Sequence, residues 1–263
     1  MPTFRKGAGL DLHFETDDFT DPWRAAEAVL MLHGNSESGR AWYAWVPRLG
    51  REYRLIRPDM RGFGRSTPMP EDHDWSMDEV VGDYIALLDH LGEARVHVVG
   101  AKISAFVGIR MAASHPERIR SLTLVGPPPS ITTLAATVPS VRLVAEEGVE
   151  GWARKNMVSR LGAKMPPEAI AWWSRYMGQT AASTQIGFMR KLAAFDATDD
   201  LDRVKAPMLV IVPESIAAEV QGWQHRVAGS KLLTVQGDSY HIAVSDADMC
   251  AGNALAFIRG NPL

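Results

Sequence analysis

Short apolar runs recur along the chain, and amphipathic stretches fill the spaces between them. The runs are Ala28–Leu32, Tyr53–Ile56, Val96–Val99, Ser121–Val125, Met208–Val212 and Leu232–Val235. They are short, rich in β-branched residues and flanked by turn formers, which predicts strands buried on both faces. Met77–Leu91 differs: Val80, Val81, Tyr84, Leu87 and Leu88 fall on one face at helical spacing. Ile103–Ala113 and Ala247–Ile258 predict two more helices, the first ending near Pro116. Strands alternating with helices predict an α/β fold, with a mostly parallel central sheet flanked by helices on both faces.

One stretch breaks the alternation. From about Gly126 to Asp202 the pattern is helical, with no clear strand. The expected organisation is a core of residues 1–125 and 203–263, with residues 126–202 as an inserted helical cap. Such a cap lies over the carboxyl edge of the sheet, where open α/β folds bind ligands. Trp152, Trp172 and Trp173 in this stretch are candidate substrate-binding residues. Met157, Met165, Met177 and Met189 suit packing of the cap onto the core.

Composition narrows the class. With 263 residues, 46% hydrophobic, the chain can bury a large single core. A net charge of −3 gives no reason to expect nucleic acid or an anionic membrane as a partner. One cysteine, Cys250, excludes an internal disulfide and suits a reducing compartment. No run reaches membrane-spanning length, and Met1–Gly7 lacks an apolar signal core, so a cytoplasmic protein is expected. A small-molecule substrate is the expected partner, and a homo-oligomer is left open. No spacing of His, Cys, Asp and Glu reads as a metal site, and no cofactor is implied.

The chemistry concentrates at one turn. Val98-Val99-Gly100-Ala101-Lys102-Ile103-Ser104-Ala105 joins a strand to a helix, with Gly100 and Ser104 two places either side of Lys102. This spacing builds a nucleophile elbow, a strained turn that lifts one side chain above a parallel sheet. Three more segments accompany it. His33-Gly34-Asn35-Ser36 follows a strand, Arg57-Pro58-Asp59-Met60-Arg61-Gly62-Phe63-Gly64-Arg65-Ser66 follows the next, and Gly237-Asp238-Ser239-Tyr240-His241 follows the last. Together, in this order, they resemble the α/β-hydrolase fold superfamily, in its branch of esterases, enol-lactonases, C–C bond hydrolases and haloalkane dehalogenases.

The resemblance implies a triad of nucleophile, acid and histidine. His241 matches the histidine. The backbone N–H groups of Asn35 and Ile103 match the oxyanion hole. Lys102 stands where the nucleophile belongs. The acid's place after Met208–Val212 holds Ile216, with Glu214 the carboxylate nearby; the connection Gly126–Ser130 offers none. Asp238 is a further local candidate, and Asn35 and Glu37 are candidates for side-chain contacts. A register shifted to Ser104 would place Lys102 and Phe106 where small residues are needed.

A lysine at a helix N-terminus, under a cap, loses affinity for its proton through desolvation and the helix dipole. As a neutral amine it can attack a carbonyl carbon or act as a base; as a cation it can clamp an oxyanion. A stable acyl-enzyme is disfavoured, because acylated lysine is an amide. The expected function is therefore a cofactor-independent enzyme acting on a small, partly apolar carbonyl compound, with Lys102, His241 and Glu214 as catalytic candidates. Hydrolysis of an ester, lactone or C–C bond by activated water is one route. Lyase, decarboxylase or retro-aldol chemistry through an imine or enolate is another. The alternative is a receptor-like protein that binds a ligand without turning it over.

Overall fold

The structure is a computed structural model, and it describes residues 2–7, 9–129 and 138–261. Eight strands form one sheet in the order β1-β2-β4-β3-β5-β6-β7-β8. They are β1 (Thr3–Arg5), β2 (Asp11–Asp17), β3 (Ala28–Leu32), β4 (Arg54–Pro58), β5 (Val96–Ala101), β6 (Ile119–Val125), β7 (Met208–Pro213) and β8 (Lys231–Val235). β2 runs antiparallel to β1 and to β4. Every pairing from β4 across to β8 is parallel.

The apolar runs became strands for the reason their pattern predicts: β3, β5 and β7 are buried at every position. β1 and β2 were not expected. β2 alternates Asp11, His13, Glu15 and Asp17 with Leu12, Phe14 and Thr16, and only its middle is buried. A strand near the sheet edge needs no continuous apolar run.

The helices are α1 (Val46–Leu49), α2 (Met77–Leu91), α3 (Ile103–Ser114), α4 (Val138–Leu161), α5 (Pro167–Met177), α6 (Ala182–Arg190), α7 (Ala217–Gln224), α8 (Ile242–Ser245) and α9 (Ala247–Arg259). α2, α3 and α7 pack on one face of the sheet in a single large core. α1, α8 and α9 pack on the other. Between β6 and β7 no described residue is in a strand; α4, α5 and α6 gather around a third apolar cluster that includes Trp152, Met157, Trp173 and Met177. α4 breaks at Gly148, whose φ of 71° and ψ of 176° leave the helical region. No described helix is long and apolar enough to cross a membrane.

Candidate active site

The turn between β5 and α3 is strained. Lys102 sits at φ 55° and ψ −123°, a combination an L-residue rarely adopts. Its N–H donates to Val125 O (3.0 Å), which ties the turn to β6, and its C=O accepts from Ala105 N–H (3.0 Å). The turn is so tight that a Cβ on Gly100 would stand 2.6 Å from Ser104 O. Ser104 lies behind it, fully buried, and donates its hydroxyl to His33 O (2.5 Å). The hydroxyl is thus committed to joining α3 to the end of β3, and the shifted register is not adopted.

The loop after β3 forms the facing wall. His33 donates from Nδ1 to Gly34 O (2.7 Å) and accepts at Nε2 from Met60 N–H (2.9 Å), so it holds two loops together. Asp59 accepts from Gly39 N–H (2.7 Å) and Arg65 N–H (2.8 Å), and Arg61 pairs with Asp83 and Glu79. Both residues of that segment therefore build the turn.

A cavity of about 360 Å³ opens above Lys102, between the carboxyl ends of β3, β5 and β6 and the helices α4 and α6. Asn35, Lys102, Ile103, Gly126, Trp152, Arg160, Met189, Ile216 and Tyr240 are among the residues that line it, and the triple proline Pro127–Pro129 forms one side. Ser130, next in that connection, lies outside the described residues. The N–H groups of Asn35 and Ile103 donate to no described residue. The Lys102 amine is buried and has no hydrogen-bond acceptor among the described residues; it stands 4.1 Å from the centre of the Tyr240 ring.

Behind the amine lies a charge cluster that the sequence signalled only in part. Glu37 is fully buried. Its Oε2 accepts from Gly34 N–H (3.0 Å), while Oε1 lies 2.9 Å from His241 Nε2 and 3.4 Å from Arg160 Nη1. The His241 contact is close but off the line of a hydrogen bond. Arg160, on α4, also faces the rings of Trp152 (5.7 Å) and Tyr240 (5.4 Å). Its carbonyl accepts from His241 N–H (3.0 Å) and the Ser239 hydroxyl (2.9 Å), fastening the end of α4 to the histidine loop. Glu37 and His241 are not among the residues that line the cavity.

Burial pushes the Lys102 amine well below its ordinary value; the positive Arg160 adds to this and Glu37 opposes it. Burial also lowers His241, to about 4, with Glu37 opposing and Lys102 and Arg160 assisting. For Glu37, burial favours the neutral acid, but the charges of His241, Lys102 and Arg160 outweigh it and hold the carboxyl well below the usual range. These tendencies compete, because Lys102 and His241 stabilise the carboxylate only when protonated. The geometry pairs Glu37 with Arg160, while burial favours the neutral forms of Lys102 and His241.

Three expected site residues lie elsewhere. Glu214 is exposed at the start of a 3₁₀ turn, Glu214–Ile216, and does not line the cavity, whereas Ile216 from the same turn does. The chain turns just past Pro213, which sends the carboxylate outward and the isoleucine inward. Trp172 stacks on Tyr176 (5.0 Å) and faces Arg40, on a surface hollow remote from Lys102. Trp173 packs edge-on against His241 (5.6 Å) without lining the cavity. Asp238, also weighed as an acid, is exposed and accepts from Ala163 N–H (2.9 Å) just beyond α4. Arg160 and Tyr240 carried no sequence signal: an arginine in a polar helix and a tyrosine in a loop have no diagnostic spacing.

Comparisons with known proteins agree with this architecture. The profile of the family described as alpha/beta hydrolase fold matches residues 27–164. The 2-hydroxymuconate semialdehyde hydrolase of Pseudomonas sp. (strain CF600) is 35% identical over 101 residues, 37% of this chain and 35% of that protein. The chain thus spans about a third of that curated relative. The putative carbamate hydrolase RutD of Klebsiella pneumoniae is 26% identical over 249 residues, 86% of this chain and 89% of the relative. Among solved structures, the enol-lactonase from Burkholderia xenovorans LB400 superposes with a TM-score of 0.87, covering 98% of this chain and all of the other, at 20% identity. At that identity the likeness speaks for the fold alone.

Proposed function

The chain belongs to the alpha/beta hydrolase fold family, and on that premise we propose that it is a cofactor-independent hydrolase of a small, partly apolar carbonyl compound in which Lys102 moves the proton. The observation that carries this reading is Lys102, which lines an apolar cavity from a strained turn and whose buried amine has no acceptor among the described residues. Placing such a group there is costly, and a role in proton transfer would offset that cost. Relatives named as hydrolases, including a semialdehyde hydrolase and a putative carbamate hydrolase, favour hydrolysis of an ester, lactone or C–C bond.

The reach of lysine selects its role. A serine hydroxyl ends one carbon from the main chain; the amine ends four carbons out, whereas the N–H groups of Asn35 and Ile103 belong to the main chain itself. Those N–H groups polarise a carbonyl at the root of Lys102. The neutral amine takes a proton from a water as its oxygen attacks that carbonyl carbon. The tetrahedral intermediate then collapses with cleavage of the C–O or C–C bond, and the ammonium returns the proton to the departing alkoxide or enolate. A depressed pKa suits a group that must both take and give a proton near neutrality. His241, Glu37 and Arg160 set the charge around the amine, and none of this passes through an amide-linked acyl-enzyme.

The unpartnered amine also fits a second route, imine formation with a ketone followed by retro-aldol cleavage or decarboxylation. One experiment separates the two. A panel of esters, lactones and diketones is screened for turnover, and borohydride is added with each compound turned over. Turnover that falls at least a hundredfold in Lys102→Met, with no reduced adduct on Lys102, is the expected result. An adduct at Lys102 moves the assignment to the imine route. Undiminished turnover in Lys102→Met removes lysine from the chemistry, and a cavity that binds compounds without turning any over makes the protein a receptor.

A further inference from the structure

The loop after β3 carries three consecutive polar side chains, Ser36, Glu37 and Ser38, and all three are buried. Each is held from the segment between β6 and β7, and each by a different helix. Ser36 donates its hydroxyl to Gln185 Oε1 on α6 (2.5 Å). Glu37 Oε1 lies 3.4 Å from Arg160 Nη1 on α4. On α5, the Tyr176 hydroxyl accepts from Ser38 N–H (2.6 Å), stands 2.9 Å from Ser38 Oγ and donates to Ser38 O (3.1 Å). Ser36 also has the backbone that most needs holding. Among the described residues, only Ser36 (φ 60°) and Lys102 (φ 55°) combine a side chain with a positive φ. Such a conformation persists where the surroundings over-determine it. Each of the two adjoins an N–H assigned above to the substrate carbonyl: Ser36 follows Asn35, and Lys102 precedes Ile103.

We propose that Gln185 is a positioning residue: through Ser36 it fixes the Asn35 N–H where the carbonyl oxygen of the substrate turns negative. The proposal rests on the hydrolytic reading above, in which Asn35 is one of the two main-chain donors. The Lys102 turn is tied down by Val125 O and by the close approach of Gly100 to Ser104. The Ser36 turn has Gln185 in their place. Gln185 is a fixed point, because α6 lies hard against the chain that follows β4. The Thr184 hydroxyl accepts from Met69 N–H (2.8 Å) and donates to Met69 O (3.2 Å), and a Cβ on Gly187 would stand 2.7 Å from Glu71 O. Tyr176 braces the same loop two residues on. Trp172, stacked at 5.0 Å, and Trp173, edge-on at 5.1 Å, pack around its ring. Donors held in place before charge develops are what acyl transfer depends on most, and a misplacement of about 1 Å costs on the order of a hundredfold in rate.

Spectra and turnover test this separately. The chain has four asparagines, so protein carrying the heavy nitrogen isotope at asparagine alone gives four backbone amide lines. The Asn35 line is assigned by its loss in Asn35→Ala, and in the wild type it is expected to be single and sharp. In Gln185→Met, which keeps the length and loses the acceptor, it should shift and broaden or split, while the Asn253 line from α9 stays in place. Ser36→Gly should do the same: glycine tolerates the positive φ and keeps the fold, but nothing then holds the turn. On whichever ester or lactone the wild type accepts, each variant should lose about tenfold or more in kcat with KM within about threefold, the mark of an interaction made only in the transition state. The curve of kcat against pH should drop without sliding along the pH axis, because neither side chain carries charge. The double variant should be no slower than the slower single one, since both remove one bond. An Asn35 line that stays unmoved in both variants overturns the proposal, and so does a moved line with kcat unchanged. If Gln185→Met does not fold, Ser36→Gly carries the comparison. A wild type that turns over no compound sinks the hydrolase by itself, and the Asn35 line alone then decides whether Gln185 holds the loop.

Discussion

At the scale of single residues, the site rests on one side chain whose position costs the fold free energy. Lys102 is buried, adopts a backbone conformation that costs about 1–3 kcal/mol for a non-glycine residue, and has a depressed affinity for its proton. The sign follows directly. The folded pKa lies below the unfolded value of about 10.4, so between the two the unfolded chain binds more protons and stability rises with pH. Lys102→Met should therefore be more stable than the wild type at pH 7, by at least about 1 kcal/mol, which is roughly 2–4 °C in Tm for a chain of this size. Thermal melts should show the gap narrowing as pH climbs toward 10. A destabilised Lys102→Met would mean the amine has a partner that strengthens the fold. Lys102 was legible from sequence because its flanking small residues have a steric cause. The carboxylate partner of His241 was not, since Glu37 comes from the loop after β3 and no spacing rule ties that loop to the last strand. Arg160 was invisible, as nothing in a helix's sequence says which of its arginines turns toward a buried carboxylate.

At the scale of elements, the sheet was readable where burial is two-sided and unreadable where it is not. β3, β5 and β7 announced themselves as apolar runs, whereas β2 alternates and β1 is too short to carry a period. The elbow belongs to this scale too, because it depends on how α3 is moored. Ser104 moors it by its bond to His33 O, which fixes the register of the turn against the loop after β3. Ser104→Ala leaves that carbonyl without this donor and should cost about 1–2 kcal/mol in denaturant melts. Turnover, measured on whichever compound the wild type accepts, should stay within a few-fold of wild type, since the hydroxyl does not reach the cavity. A loss of turnover as deep as that of Lys102→Met would restore Ser104 as the reacting group. The other mooring is at the end of α4, where Arg160 O receives two donors from the histidine loop. One helix of the segment between β6 and β7 thus both walls the cavity and supplies its guanidinium.

At the scale of the whole molecule, three buried groups that titrate on the acid side share one direction. His97, between Ser121 (2.8 Å) and Glu27 (3.1 Å) near the start of β5, is pushed down by burial against the pull of Glu27. His241 is pushed down to about 4 by burial, and Glu37 is held low by the surrounding positive charges, which overcome its burial. For each histidine the unfolded chain, titrating near 6.5, binds more protons than the folded one as pH falls below that value. Stability is therefore present above about pH 6.5 and drains away toward pH 4, with His241 alone contributing on the order of 3 kcal/mol. Glu37 extends the loss in the same sense, because its depressed folded pKa confers stability above its unfolded value that disappears as it is protonated. The expected stability curve climbs from acid through neutrality without an early maximum, and denaturant midpoints measured from pH 4 to pH 9 check it. A molecule equally stable at pH 5 and pH 8 would mean that the two histidines are already charged in the folded state. The pairing of Glu37 with Arg160 would then need a different assignment, because a protonated His241 would be a second cation on the same carboxylate oxygen.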